Sequence, residues 1–246
     1  MTETSATKIL IDNLRDDEQY YGEFGRQFLS NSDIGVLLKN PSHFRVKRED
    51  NKAFVEGRYF HQSLLEPDKV KNFKWIDASS RNTKKYKEES EGKVRLLRSE
   101  KEHLDNLLDK VRNNDYFVQH IYKDGNRFEE PAIGEVKGRM FKGKADILCK
   151  DMIIDIKTTS NISDFKYSAK RYGYNSQAYI YSELFRRPMV FFVVDKTDGS
   201  MGVFDTSSEF MWGGEQRVEQ GLEVYEKFFG DNATDDIRNY FLSDIL

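Results

Sequence analysis

The chain has 246 residues, 38% of them apolar and 33% charged, with a formal net charge of −3. That is enough to bury a core as one large domain or two small ones, and it excludes global disorder. The single cysteine, Cys149, excludes a disulfide framework, a cysteine-based zinc site and a four-cysteine iron–sulfur cluster, and it fits a reducing compartment.

Residues 1–27 carry Asp16-Asp17-Glu18 and read as an acidic, partly disordered start. The start lacks the basic and apolar regions of a signal peptide, so none is expected. Ser30 to Asp33 reads as a helix cap, with Ile34, Leu37 and Leu38 as an apolar stripe that Pro41 closes. Residues 52–65 read as a second helix stopped by Pro67, with Phe54, Tyr59, Leu64 and Leu65 apolar. Residues 68–92 have few apolar anchors and read as a loop or mobile arch. Between Lys69 and Lys101, 11 basic residues face 5 acidic ones, a net +6. A basic middle suits contact with a polyanion on one side, and a solvated helix and loop would look the same. Ser99 to Arg112 places Leu104, Leu107, Leu108 and Val111 at helical spacing, as core packing requires.

From Phe128 the period changes from helix to strand. Residues 130–136 and 139–148 read as a hairpin around Lys137-Gly138, and 152–159 as a third strand. A helix over 165–185, a hairpin of 190–194 with 201–204, and a helix from Ser207 or Ser208 to a stop at Gly230 follow. From Asp205 onward 10 acidic residues face 3 basic ones, a net −7. The expectation is one α/β domain over 1–246: a mainly helical part at 28–127 with its basic arch at 69–101, then an α/β core at 128–246 with a mixed sheet. No apolar run reaches about 18 residues, so neither a membrane-spanning helix nor a membrane partner is expected.

Asp146 ends one apolar strand, and Asp155-Ile156-Lys157 lies within the next, nine residues on. Residues two apart on a strand share a face, so Asp155 and Lys157 point together while Ile154 and Ile156 enter the core. Charges among such apolar runs need compensation, and Mg²⁺ or Mn²⁺ held by carboxylates supplies it. A lysine beside the metal can orient water or offset phosphate charge. An ordinary buried Asp–Lys ion pair gives the same pattern.

Four motifs in order resemble the PD-(D/E)xK nuclease superfamily, in particular its RecB-like branch and the exonucleases of phage recombination such as exonuclease VIII (RecE). They are Gly57-Arg58-Tyr59-Phe60-His61, Gly143-Lys144-Ala145-Asp146, Asp155-Ile156-Lys157-Thr158-Thr159 and Gln177-Ala178-Tyr179-Ile180-Tyr181. The resemblance spans roughly residues 30–229. It implies a restriction-endonuclease-like core in which Asp146, Asp155 and the Ile156 carbonyl bind Mg²⁺ or Mn²⁺. Lys157 would be the catalytic lysine and His61 would complete the metal site. Gln177 and Tyr181 would face the DNA backbone and the catalytic strands. The family also uses a glutamate on the preceding strand. A two-residue turn at Lys137-Gly138 puts Glu129 opposite Asp146, whereas the family's Glu-x-small-apolar pattern matches Glu130-Pro131-Ala132-Ile133; a longer turn or a bulge would shift the register by one and favour Glu130, which is the expected metal ligand. Glu135 reads as a surface residue near the turn. Cys149 alone cannot build the iron–sulfur cluster of some relatives.

The implied activity is Mg²⁺-dependent exonucleolytic digestion of linear duplex DNA, 5′→3′, in phage-type recombination or end processing in a bacterial or phage-infected cytoplasm. A ring-shaped homo-oligomer and a single-strand annealing protein are the implied partners besides DNA ends, and Lys84 and Lys85 of the basic arch are expected to guide DNA. A restriction-like or junction-cleaving endonuclease is the alternative. A DNA-binding module that keeps the fold without activity is a third, against which the complete acid–acid–lysine set speaks.

Overall fold

Helix caps and prolines set most boundaries in the first half of the chain. The computed structural model describes residues 5–47 and 49–242. Helices α1 (Ser5–Leu14) and α2 (Asp17–Tyr21) come first, and Asp16 caps α2 by accepting the Gln19 N–H at 2.9 Å. The acidic start is therefore folded from residue 5, with Leu14 and Tyr20 buried; the disorder expected for residues 1–4 falls outside the described residues. Helix α3 (Asn31–Lys39) stops just before Pro41, and α4 (Lys52–Leu65) begins at an Asn51 cap and ends before Pro67. Of the apolar residues of α4, Phe54 is exposed on the first turn, whereas Tyr59, Leu64 and Leu65 are buried.

The basic segment is a small folded lobe rather than a mobile arch. After α5 (Pro67–Val70), the two-residue strands β1 (Trp75–Ile76) and β2 (Leu96–Leu97) pair in parallel around α6 (Lys84–Glu89). Ile76, Tyr86 and Leu97 form its apolar centre. Arg81 grips Glu100 through two 2.7 Å hydrogen bonds, and the Tyr86 hydroxyl accepts the Arg95 N–H at 2.8 Å. A few apolar anchors suffice because these polar contacts close the loop ends.

Helices α7 (Arg98–Arg112) and α8 (Asp115–Ile121) then lead into the sheet. Its strands are β3 (Arg127–Val136), β4 (Arg139–Leu148), β5 (Ile153–Thr159), β6 (Met189–Asp195) and β7 (Met201–Asp205), in that spatial order. Only β5 and β6 run parallel, joined by α9 (Phe165–Arg171) and α10 (Tyr174–Phe185). The single helix expected over 165–185 breaks at Gly173, which adopts φ +73°. The last helix, α11 (Ser208–Phe229), has the expected bounds.

Both sheet faces are covered. Helices α4, α7 and α8 pack on the face that carries Ile147, Ile154, Ile156 and Phe192; α3, α9, α10 and α11 pack on the face that carries Ile153, Phe191 and Val193. This explains why β6 is buried at every position and shows no polar alternation. The mixed α/β architecture is the expected one. Among the described residues, no helix is long and apolar enough to cross a membrane.

Candidate active site

The site sits where β4 and β5 part. Their pairing ends at Ile147 with Ile154, so the next hydrogen-bonded pair, Ala145 with Ile156, does not form. Instead the Ile156 N–H donates to Asp146 Oδ2 at 2.8 Å. A side-chain carboxylate takes the place of a ladder carbonyl and opens a notch in the sheet. The Ile156 carbonyl lies on the same edge of its strand as that N–H and faces the notch. Strand β4 also twists here, because Ala145 and Ile147 pack on opposite faces although they are two residues apart.

The opposite wall of the notch comes from β3 and α4. Pairing of β3 with β4 keeps one register from Val136–Arg139 out to Arg127–Leu148. Its source is a two-residue turn in which Lys137 (φ +51°) and Gly138 (φ +77°) both have left-handed backbones. That register places Glu129 across from Asp146 and pairs Glu130 with Ala145. Glu129 itself has φ +48°, which costs a non-glycine residue about 1 kcal/mol and leaves it out of the ladder. Ligand atoms of His61, Glu129 and Asp146 lie within 4.8 Å of one another, and His61 Nδ1 is 3.2 Å from Asp146 Oδ2.

The expectation for Glu130 is thereby corrected. Its buried carboxylate is taken up by Arg15 at 2.8 and 2.9 Å and by Arg127 at 3.0 Å, so it has no oxygen to spare for a cation. Glu129 is the glutamate of the cluster. Glu135 is exposed, as expected.

Asp155 and Lys157 project from β5 on the α10 side. Asp155 is fully buried, and Gln177 donates from Nε2 to its Oδ1 at 2.7 Å. Lys157 Nζ is 2.5 Å from Asp155 Oδ2 and 4.8 Å from the centre of the Tyr174 ring. The Lys157 ammonium thus partners Oδ2 while Gln177 partners Oδ1, so both oxygens of the buried carboxylate are engaged. Burial raises Asp155 to about 6, with Lys157 pulling it down and Asp146 adding to the rise. Burial, then Asp146 and Glu66, push Glu129 up to about 8. Burial alone would lower Lys157, but Asp155 and then Asp146 outweigh it and hold the ammonium above its usual range.

Residues 38–233 match the family model described as a PDDEXK-like domain of unknown function (DUF3799). The chain belongs to this PDDEXK-like family. Its fold is also that of a "Putative exonuclease" from Eubacterium rectale solved by crystallography: TM-score 0.65, 16% sequence identity, 94% of this chain and 95% of that one covered. The crystal structure of SSO0001 overlaps more loosely, with a TM-score of 0.38 and 9% identity over 91% of this chain and 88% of that chain. No curated protein matches the chain.

The PDDEXK-like site suits a hard divalent cation. Carboxylates dominate the donor set and one imidazole completes it. Two carboxylates held above their usual range are what an anionic cluster shows without a cation.

The remaining predicted residues divide clearly. Gln177 meets β5 through Asp155. Tyr181, expected to face DNA as well, is buried; its hydroxyl accepts the Lys144 N–H at 3.2 Å and braces β4. Lys84 and Lys85 are exposed on α6, and no contact brings them to the cluster. Sequence reasoning missed Asp17, whose carboxylate holds Lys144 at 2.7 Å and Lys69 at 2.5 Å. It precedes the family match, and no motif marks it.

Gly57, one helical turn before His61, has open space where a side chain would project.

Proposed function

We propose that the protein is a metal-dependent deoxyribonuclease that hydrolyses phosphodiester bonds of linear duplex DNA from its ends. The observation that carries this reading is the convergence of His61, Glu129 and Asp146 beside a buried Asp155–Lys157 pair. His61, Glu129, Asp146, Asp155 and the Ile156 carbonyl would hold Mg²⁺ or Mn²⁺. Such an ion, when bound, lowers the pKa of its water and offsets charge on a phosphate oxygen.

The chain's own groups supply the rest. Lys157 is kept protonated by two carboxylates and offers a fixed positive charge to the phosphate. Gln177 fixes the Asp155 carboxylate through Oδ1 and leaves Oδ2 to Lys157. Asp146 ties its own orientation to the Ile156 backbone. The family match supports a nuclease, and the "Putative exonuclease" description of the Eubacterium rectale neighbour is what favours work from ends in this reading.

The experiment is digestion of linear duplex labelled at the 5′ or the 3′ end, beside a covalently closed circle, with Mg²⁺ and with EDTA. The expected result is metal-dependent loss of the linear DNA from the 5′ end, with the circle intact. Linear DNA left whole under Mg²⁺ and Mn²⁺ would overturn the reading, and a cut circle would replace it with an endonuclease.

A further inference from the structure

The tyrosines of the α9–α10 segment divide into two kinds. Tyr181 is buried and braces β4, whereas Tyr172 is 64% exposed at the end of α9. The Tyr172 ring lies 5.9 Å from that of Tyr174, which in turn lies over the Lys157 ammonium at 4.8 Å. A line of aromatic groups thus runs from the buried lysine to the surface. Arg171 stands over Tyr172 at 5.8 Å from its centre.

Beside this line, Arg217 of α11 reaches Gly173, the residue between the two tyrosines. A side chain placed on Gly173 would meet the Arg217 Nε at 3.1 Å and Nη2 at 3.5 Å. Among the described residues, this guanidinium has no ion pair, and its Nε is buried without a hydrogen-bond partner. Burial alone lowers its pKa, with no carboxylate opposing. An arginine half-withdrawn from water and left unpaired is unfavourable for folding alone. Its planar fork matches the oxygens of a phosphate.

We infer that Arg217 and Tyr172 form a track for a single nucleic-acid strand leading away from Lys157: Arg217 binds a phosphate and Tyr172 stacks a nucleobase. The inference rests on the nuclease reading above. The two steps from Lys157 to Tyr172 span about two to three stacked nucleotides at about 3.4 Å each. An exposed aromatic ring beside a cation accepts any base, so the track binds without regard to sequence. It requires unpaired bases, so strand separation would occur within a few nucleotides of the scissile bond.

The test is fluorescence anisotropy of labelled oligothymidylate with wild type, Tyr172→Ala, Tyr172→Phe and Arg217→Gln, in EDTA so that no cleavage occurs, across a salt series. Tyr172→Ala should weaken binding about tenfold, while Tyr172→Phe keeps the ring and binds as wild type does. Arg217→Gln should lower the slope of log K against log salt by about one phosphate's worth; a purely structural arginine would change thermal stability and leave that slope alone. Tyr172 is exposed, so its variants test the track even if Arg217→Gln fails to fold. Wild-type binding by either folded alanine or glutamine variant overturns the track. If the wild-type protein cuts linear DNA under Mg²⁺ while these variants bind unchanged, only this inference falls. If it neither binds nor cuts DNA, the nuclease reading falls with it.

Discussion

Glu129→Gln separates a carboxylate held against its own charge from one that merely decorates a strand. Glu129 is raised from 4.5 to about 8 by burial, Asp146 and Glu66. An acid whose folded pKa is raised leaves stability untouched below its unfolded pKa. It then erodes stability as pH rises through the folded value. Asp155, raised from 3.8 to about 6, has its erosion finished near pH 6. Lys142, lowered to about 8 by burial, relieves its own cost only above pH 8. The window from pH 6 to 8 therefore isolates Glu129. Two pH units at about 1.36 kcal/mol each set a ceiling of about 2.7 kcal/mol. Water reaches this part-exposed carboxylate, which brings the expected loss to about 1.5 kcal/mol. For a chain of this size that is roughly 3–6 °C in melting temperature. In EDTA, wild type should lose that much between pH 6 and 8, and Glu129→Gln should lose little and melt higher at pH 8. Saturating Mg²⁺ or Mn²⁺ should reverse the order, because the cation stabilises the protein that binds it better. An EDTA melting curve in which the variant shows the wild-type pH slope, or melts lower at pH 8, would refute the placement of Glu129 among like charges.

Asp155→Asn and Lys157→Ala should each lower cleavage of linear DNA by at least about a hundredfold, read on end-labelled substrate under Mg²⁺. Full turnover by both would remove the assignment of the site. Tyr181→Phe leaves the Lys144 N–H without its acceptor and should cost about 1 kcal/mol in denaturant unfolding, with DNA affinity unchanged; a loss of affinity at equal stability would restore Tyr181 as a DNA contact. The double variant Lys84→Glu with Lys85→Glu alters two exposed ammonium groups on α6. It should weaken duplex binding and flatten its salt dependence while far-UV circular dichroism is preserved. Binding equal to wild type would free the lobe of any role in guiding DNA.

How much of this site could be read beforehand depends on the range of the interaction that fixes each residue. Asp155 and Lys157 lie two apart on a strand bounded by apolar residues, so the pleat alone puts them on one face. Gln177 meets Asp155 because the strand–helix crossover brings the next helix over its own strand. His61 comes from a helix nearly ninety residues away from Asp146 in sequence, and no local period could place it; only the family pattern did. The glutamate shows two signals in conflict. The Lys137-Gly138 turn favours a two-residue hairpin and hence Glu129, while the Glu-x-small-apolar pattern favours Glu130. Turn geometry prevailed, because both turn residues adopt left-handed backbones and the register then runs unshifted to Arg127. A distortion does occur at Glu129, but it turns the residue without adding one to the strand, so it opens the notch and leaves the register alone. What made Glu130 persuasive is also what disqualifies it. A buried acid on a strand needs a partner, and Arg15, in the turn just after α1, is that partner. The choice of Glu130 thus failed for want of a distant contact, since the turn that follows α1, the helix packed near β3, carries the arginine that neutralises the competing glutamate and leaves Glu129 for the cluster.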